Sequence, residues 1–205
     1  MSIQYPKSIE NLIKQFSQLP SVGRKTAERY VFYLLKQKPE QINLWAKYLL
    51  ELKSNLSVCK HCLALSEDSP CKICSDNNRK DDLICLVANF QDLMAMENTR
   101  QYSGKYFILD GLINAIEDIG PDQLNIKELV VEINNKLKKY NQIEIILALS
   151  PTIEGESTSL YLQKILKNKK IKISKLARGL STGASLEYVD ENTLSNALRY
   201  RGLIE

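Results

Sequence analysis

Apolar residues in the first 56 positions recur at the spacing of amphipathic helices. Within residues 8–18 the apolar positions lie three or four apart, which places them on one helix face: Ile9, Leu12, Ile13 and Phe16. Residues 19–23 (LPSVG) end this helix, since proline and glycine both disfavour helical continuation. A second helix is predicted over residues 24–36, with these residues directed inward: Ala27, Tyr30, Val31, Leu34 and Leu35.

A third helix is predicted to begin at Pro39, because proline suits the first turn of a helix. Its apolar residues again recur at helical spacing: Ile42, Trp45, Leu49, Leu52 and Leu56. Three short helices with one tight connector predict a small helical module over residues 1–56.

Beyond residue 79, short apolar runs alternate with amphipathic stretches. The runs are typical of buried strands and fall at residues 83–87, 106–109, 143–148 and 171–177. Helices are predicted at residues 92–98, from 125, at 156–166 and from 190. Asn125 and Glu128 form a capping-box-like pair, and Asp190 is a suitable N-cap. This alternation predicts a mainly parallel sheet covered on both faces.

The patterns divide the chain into four predicted segments. They are a helical module at 1–56, a cysteine-rich segment at 57–78, an α/β domain at 79–176 and a C-terminal segment of helix and strand at 177–205. The predicted fold class is therefore α/β with several modules.

Composition and charge narrow the classes of protein that fit this fold. A hydrophobic fraction of 44% and a charged fraction of 25% are ordinary for a globular protein. No apolar run approaches the roughly 20 residues that span a bilayer, and residues 1–10 lack a signal peptide's apolar stretch, so we expect a cytoplasmic location. Residues 1–56 hold nine Lys or Arg and four Asp or Glu, a net charge of +5, whereas the remainder, with 19 and 20, carries −1. The positive excess suggests a polyanionic partner for the first segment.

Four of the five cysteines form two pairs, Cys59-x-x-Cys62 and Cys71-x-x-Cys74. Two such turns supply four thiolates, which complete a tetrahedral structural zinc site with no open position for water. A redox pair and an iron–sulfur cluster are the alternatives. His61 is expected to be a solvated neighbour of the site, and Cys85 to belong to the core.

The connector between the first two helices has the form of a helix-hairpin-helix turn. Gly23 permits close approach of a ligand to the backbone, and the N–H groups that follow it can face a phosphate. Lys25 and Arg29 are four residues apart, so they share one helix face and can add phosphate contacts, with Arg24 in support. Such contacts carry no base readout, so the predicted DNA binding is independent of sequence and sensitive to salt. An ordinary turn with solvated cations is the alternative.

A helix-hairpin-helix, a four-cysteine site and an α/β unit, in this order, resemble the bacterial recombination mediator family RecR. Three further stretches carry the resemblance, which covers essentially the whole chain: residues 109–121, 150–156 (SPTIEGE) and 177–183 (ARGLSTG). The last of these is followed by Leu186-Glu187-Tyr188 and Asp190, as in the family's C-terminal signature.

The resemblance implies that the α/β unit is a Toprim domain, shared with topoisomerases and bacterial primases. Catalytic Toprim domains hold magnesium with a Glu after the first strand and an Asp-x-Asp pair after a later one, and these positions fall here at Ala88, Ser150 and Thr152. The chemistry is therefore expected to be absent. Glu154 and Glu156 remain as candidates for partner contact, and the Ala88–Gln91 turn departs from the family's acidic, proline-containing turn.

The loop at 178–183 is sometimes compared with an ATP-binding motif in this family. It has two glycines, and the chain contains no P-loop. A structural loop is therefore preferred over nucleotide hydrolysis.

By resemblance, the chain is a non-catalytic mediator of recombinational DNA repair after DNA damage. It would act as a ring-like homotetramer, paired through its N-terminal modules and its C-terminal segments, near the nucleoid. It would work with RecO, and with RecF as a further candidate partner, to load RecA at single-strand gaps. The alternatives are a magnesium-dependent Toprim nuclease or primase, and a zinc adaptor that contacts only proteins.

Overall fold

The computed structural model describes residues 5–177 and 179–202 of the chain. Contacts within it divide the chain into two units, Met1–Leu56 and Ser57–Glu205. Arg178, the first residue of the glycine-containing loop at 178–183, lies outside the described residues. Across the described ranges, no helix is both long and apolar enough to cross a bilayer.

The first unit is helical, with α1 (Lys7–Phe16), α2 (Arg24–Leu34) and α3 (Pro39–Ser54). Its core is small and is formed by α1 and α2. Ile13, Ala27 and Val31 are buried there, and three partly buried residues pack around them: Ile9, Phe16 and Val22. The predicted inward positions of Ala27 and Val31 are therefore confirmed.

Two other inward predictions for α2 are wrong. Tyr30 is 42% exposed and Leu35 is 60% exposed. Helix α3 contains no buried residue, and its Leu49 is 72% exposed. The apolar spacing identifies the buried face of α1 and part of that of α2, but a unit of this size has too little chain to cover the apolar residues of α3 as well.

The second unit begins with the cysteine segment and continues as an α/β domain. Its elements are β1 (Ser57–Val58), β2 (Leu65–Ser66), α4 (Lys72–Ser75), β3 (Lys80–Val87), α5 (Phe90–Asn98), β4 (Gly104–Ile108), α6 (Ile126–Leu137), β5 (Ile143–Ala148), α7 (Ile153–Ile165), β6 (Ile171–Lys175) and α8 (Glu191–Arg199). Strands β1 and β2 form an antiparallel pair. The other four strands form one parallel sheet in the order β4-β3-β5-β6, which confirms the predicted α/β class.

Both faces of the parallel sheet are covered. On one face Leu129 and Ile133 of α6 and Leu162 of α7 pack against the strands. On the other face Leu93 of α5 packs together with the buried cysteines of the cysteine segment. Strand β4 is buried at all five of its positions, although it lies at the edge of the sheet. Covered faces explain why the strands appear in the sequence as continuous apolar runs.

Three helix starts differ from the predicted ones. Helix α7 begins at Ile153 rather than at Glu156, because the Thr152 side chain caps it. The predicted capping by Asn125 is wrong, because its side chain makes no cap and its Nδ2 donates instead to the Ile108 carbonyl at 3.2 Å. Helix α5 begins earlier than predicted, at Phe90, because the Asn89 side chain accepts a hydrogen bond from the Asp92 N–H at 2.8 Å. The capping by Asp190 is confirmed, since it accepts from the Thr193 N–H at 2.9 Å.

Candidate functional site

The four paired cysteines lie close together in the second unit, next to the buried cluster that contains Leu93 of α5. All four sulfur atoms lie within 4.8 Å of one another. Cys62 Sγ and Cys71 Sγ are 3.6 Å apart. A tetrahedral zinc ion with Zn–S bonds of about 2.3 Å separates its sulfurs by about 3.8 Å, so the donor set fits this ion. The four-cysteine cluster predicted from the spacing is confirmed as a possible metal site.

Hydrogen bonds within the cluster favour the charged form at Cys62, whereas burial raises the pKa of the Cys71 thiol and the hydrogen bond to Cys62 raises that of Cys74. The Cys71 N–H donates to Cys59 Sγ at 3.4 Å, and the Cys74 N–H donates to Cys71 Sγ at 3.4 Å. A hydrogen bond from Cys74 lowers the pKa of the Cys62 thiol to about 6. A thiol that ionises near neutral pH supplies the thiolate that a metal requires.

The neighbouring cysteine and histidine behave as predicted. Cys85 lies in β3, where burial raises the pKa of its thiol to about 12, so it remains a neutral core residue. His61 is exposed and stands 3.9 Å from the Glu132 carboxylate, outside the group of four sulfurs.

The left-handed backbone position of the turn before α2 is Ser21. Ser21 has a φ of 61°, whereas Gly23 has a φ of −78°, which any residue can adopt. A Cβ placed on Gly23 would meet nothing within 4 Å. Gly23 is therefore not required by the fold, and the space beside it is open to a ligand.

The N-terminus of α2 has unpaired donors. Gly23 provides no side-chain cap, and the first turn contains no acidic residue. The first backbone donor with a partner is the Ala27 N–H, which bonds to the Gly23 carbonyl at 3.0 Å. In the part of the chain that the structure describes, the preceding N–H groups of Arg24, Lys25 and Thr26 have no acceptor. These groups and the helix dipole favour an anion at this position.

The three cations of this turn are in different situations. Arg24 forms a bidentate ion pair with the Glu10 carboxylate, in which both hydrogen bonds are 2.9 Å long. It also forms an ion pair with Glu28 at 3.3 Å. Lys25 and Arg29 are exposed and form no ion pair with any described residue. Arg24 therefore joins α1 to α2, while Lys25 and Arg29 remain available to a ligand.

A groove of 450 Å³ runs along this face of α2. It is lined by Tyr5, Lys25, Thr26, Glu28, Arg29 and Phe32. The Tyr5 and Phe32 rings meet edge to face at a centroid distance of 5.6 Å. The groove thus combines two cations with an aromatic wall.

The carboxyl ends of β3 and β5 lie side by side, since Val87 pairs with Ala148. Ala88 follows the first of these strands, and Ser150 and Thr152 follow the second. Thr152 has a structural task, because its Oγ1 caps α7 by accepting from the Gly155 N–H at 3.2 Å. Over the described ranges, the four cysteines form the one group of three or more potential metal ligands.

The two glutamates predicted to contact partners lie in the first turn of α7. The Glu154 backbone N–H and the Thr152 hydroxyl, by hydrogen bonding, lower the pKa of the Glu154 carboxyl. Glu156 forms an ion pair with Lys175 of β6. Beside them, Ile153 is 82% exposed. Part of this edge therefore serves the fold, and an exposed apolar residue lies next to it.

Sequence reasoning missed the buried lysines of the second unit. Lys105 and Lys136 are each only 7% exposed. Lys105 is the second residue of β4, which begins two residues before the predicted run at 106–109, and a single charge beside an apolar run gives no signal of burial. Lys136 occupies a polar position of α6, where solvent exposure is the ordinary expectation.

Comparison with known proteins agrees with this architecture. A model of the RecR helix-hairpin-helix matches residues 9–52, one of the Toprim domain matches 82–177, and one of the RecR C-terminal region matches 179–201. The recombination protein RecR of Amoebophilus asiaticus is 45% identical over 195 residues, which are 95% of this chain and 96% of that protein. Those of Staphylococcus saprophyticus and Staphylococcus aureus are 41% identical over 199 residues, 97% of this chain and 98% of theirs. The chain belongs to the RecR family of recombination proteins.

Proposed function

We propose that this chain binds DNA without sequence preference through the hairpin and the start of α2, as a non-catalytic mediator of recombinational repair. The contacts to DNA come from the backbone at Gly23 and from the side chains of Lys25 and Arg29. Arg24 supports them indirectly by holding α1 against α2. Membership of a family of recombination proteins supports recombinational repair as the process in which the chain binds DNA.

One observation carries the DNA-binding proposal. Three backbone N–H groups at the start of α2, and two cations on the face that follows, have no hydrogen-bond or ion-pair partner among residues 5–177 and 179–202. Backbone donors and flexible cations recognise phosphate oxygens, which every nucleotide carries. Binding through them is driven by counterion release and weakens steeply with salt.

Fluorescence anisotropy on a labelled gapped duplex tests this proposal. The double variant Lys25→Ala/Arg29→Ala is compared with the wild type over a range of salt concentrations. The matched control is Lys167→Ala/Lys169→Ala, which removes the same charge from exposed positions of the second unit. Loss of two phosphate contacts should flatten the plot of log affinity against log salt by about 1.8, because each duplex contact contributes about 0.9.

The control decides what a weaker affinity means. A loss confined to the α2 variant supports the hairpin as the DNA contact. Equal losses in both variants would reduce the effect to net charge and contradict the assignment. A wild type that binds no gapped duplex would favour the zinc adaptor that contacts only proteins, or binding that requires a mediator partner.

The mediator role extends this binding to repair proteins. The chain would act with RecO, and with RecF as a further partner, to help RecA displace single-strand binding protein at gaps near the nucleoid. Glu154 and Glu156, together with exposed Ile153, are the proposed partner contact. In the Ala88–Gln91 turn, which lacks the acidic residue of the family pattern, the Asn89 side chain caps α5.

Exposed apolar surfaces in both units support self-association, for which we propose a homotetrameric ring. On α3, Leu49 and Leu50 are 72% and 80% exposed. Helix α8 has no buried residue, and Leu198 in its last turn is 67% exposed. Apolar area of this kind is typical of surfaces that pair with another chain. Analytical ultracentrifugation of wild type and Leu49→Glu/Leu50→Glu would reveal whether pairing depends on α3.

Non-catalytic action is supported by the ends of β3 and β5. Ala88, Ser150 and Thr152 offer no carboxylate where catalytic Toprim domains hold magnesium. Incubation with gapped DNA and Mg²⁺ tests the competing enzyme. Cleavage or primer synthesis that survives purification to homogeneity would contradict the proposal.

Zinc is the ion that we propose for the four cysteines. Four thiolates with two Cys-x-x-Cys turns are typical of structural zinc sites, which add no catalytic water. Metal analysis of the purified protein should give one zinc per chain and little iron.

A further inference from the structure

We propose that Lys105 is a positioning residue for the metal site, which clamps the second Cys-x-x-Cys turn onto strand β4 and supplies a counter-charge to the bound thiolates. This inference rests on the metal proposed above. It goes beyond the ligands, because it assigns the retention of the ion partly to a residue of the sheet.

The contacts of Lys105 use the whole ammonium group. Its Nζ donates to the carbonyls of Ile73, Cys74 and Asp76 at 2.9, 3.0 and 2.7 Å. A lysine has three N–H donors, so all of its hydrogen-bonding capacity goes to this one turn. Cys74 is itself a ligand, and the other two residues flank it. The side chain therefore holds the backbone that aims the Cys74 sulfur.

A second contact anchors the first cysteine turn to the same strand. The Ile108 N–H donates to the Cys62 carbonyl at 2.9 Å. Each of the two Cys-x-x-Cys turns is thus tied to β4 by hydrogen bonds to a carbonyl of a ligand residue. Strand β4 therefore fixes the positions of both Cys-x-x-Cys turns relative to each other.

The charge of Lys105 has no carboxylate partner among the described residues, although the residue is only 7% exposed. The Asp76 carboxylate of this turn pairs with Arg79 at 3.5 Å, and Lys105 exerts an electrostatic attraction on it without forming an ion pair. A buried charge is costly unless an opposite charge compensates it. Four thiolates around a divalent cation carry a net charge of −2, so the filled site supplies the missing opposite charge next to the lysine.

Lys136 provides a matched comparison within the same unit. It is buried to the same extent as Lys105, yet its Nζ pairs with the Asp81 carboxylate at 2.6 Å and contacts no residue of the cysteine turns. Replacement of either lysine removes one buried ammonium and its hydrogen bonds. Only the Lys105 replacement removes them from the metal site.

The experiment measures zinc release from the full chain into 4-(2-pyridylazo)resorcinol, a coloured chelator, at a temperature below the unfolding of every variant. The zinc content of the wild type is determined first. We expect Lys105→Met to release zinc at least about 10-fold faster than wild type, in line with the effect of residues that orient metal ligands. Lys136→Met should release it at the wild-type rate. Lys105→Arg, which keeps the charge and several donors, should lie between wild type and Lys105→Met.

Lys105→Gln is the second variant in case Lys105→Met does not fold, since it keeps an N–H donor and loses the charge. Faster release from Lys105→Gln or Lys105→Met, with Lys136→Met unchanged, supports the clamp. Equal release rates in wild type and the Lys105 variants overturn it and leave the zinc site intact. An equal increase in the rate of zinc release in Lys136→Met also overturns the clamp, because a general loss of stability of the second unit then explains the faster release. A wild type without zinc overturns both the clamp and the proposed metal, and it leaves the DNA-binding proposal untouched.

Discussion

The backbone of Gly155 lies directly against the carbonyl oxygen of Ser150. A Cβ added to Gly155 would stand 1.9 Å from that oxygen. Gly155 lies in the first turn of α7 and is buried. The close approach seats the helix N-terminus on the loop that follows β5, so the spacing between these two residues sets the position of Thr152, Glu154 and Glu156.

Gly155→Ala should therefore destabilise the second unit by at least about 2 kcal/mol, as expected where a side chain is forced against fixed backbone. Urea unfolding followed by circular dichroism measures this loss. Gly120→Ala is the control, because a Cβ there would meet nothing within 4 Å. A Gly155→Ala protein as stable as Gly120→Ala would show that α7 shifts without cost.

Gly23→Ala should leave stability unchanged and weaken DNA binding. The φ of Gly23 is compatible with alanine and the space beside it is open, so the fold tolerates the methyl group. A phosphate approaching the N–H groups of α2 would meet that methyl group, and loss of one charged hydrogen bond corresponds to about a 10-fold loss of affinity. Anisotropy on the gapped duplex, beside a melting curve, measures both quantities. Unchanged affinity would place the phosphate elsewhere.

Removal of the metal should unfold the second unit preferentially. The cysteine segment packs into the second unit's core, and structural zinc contributes on the order of 10 kcal/mol of apparent folding free energy. Trp45 is the only tryptophan of the chain and lies in the first unit. With a chelator present, we expect the midpoint temperature of the transition followed by circular dichroism to fall. The midpoint temperature followed by tryptophan fluorescence should change little. The same result is expected for Cys71→Ser. Equal shifts of the two transitions would contradict separate unfolding of the two units.

The Glu10–Arg24 pair should make the first unit sensitive to acid. The hydrogen bond and charge of Arg24 lower the pKa of the Glu10 carboxyl from its ordinary value of 4.5. A depressed pKa in the folded state contributes stability above the ordinary value, and this contribution is lost as the pH falls through the depressed pKa. Urea midpoints from Trp45 fluorescence should therefore fall as the pH is lowered below 4.5, and fall less in Glu10→Gln. Parallel curves for the two proteins would assign the acid sensitivity to other groups.

The sequence predicted the elements whose cause is local. Cys-x-x-Cys spacing specifies the sulfur cluster because each turn brings its own two thiols together. The run at 143–148 predicted strand β5 at its observed bounds, because a strand covered on both faces is mainly apolar and Glu144 is the one charged residue of this run. Asp190 caps α8 through a residue only three positions away.

Several features that escaped prediction depend on distant parts of the chain. Asn125 has a capping partner nearby, yet the Ile108 carbonyl, 17 residues away, takes its amide. Tyr30 and Leu35 have the spacing of buried residues, yet both are exposed. Spacing alone does not indicate whether another part of the chain packs against them. Lys105 is buried because three carbonyls of the cysteine segment happen to face it, 29 to 32 residues away.

The hydrogen bond from Ile108 to Cys62 also bears on solubility. Strand β4 ends the parallel sheet and is buried along its length, and an uncovered apolar strand edge is a template on which another chain can add a strand. The cysteine segment occupies that edge, with the Cys62 carbonyl taking an outward N–H of β4. The small cysteine segment thus protects the sheet from edge-to-edge aggregation.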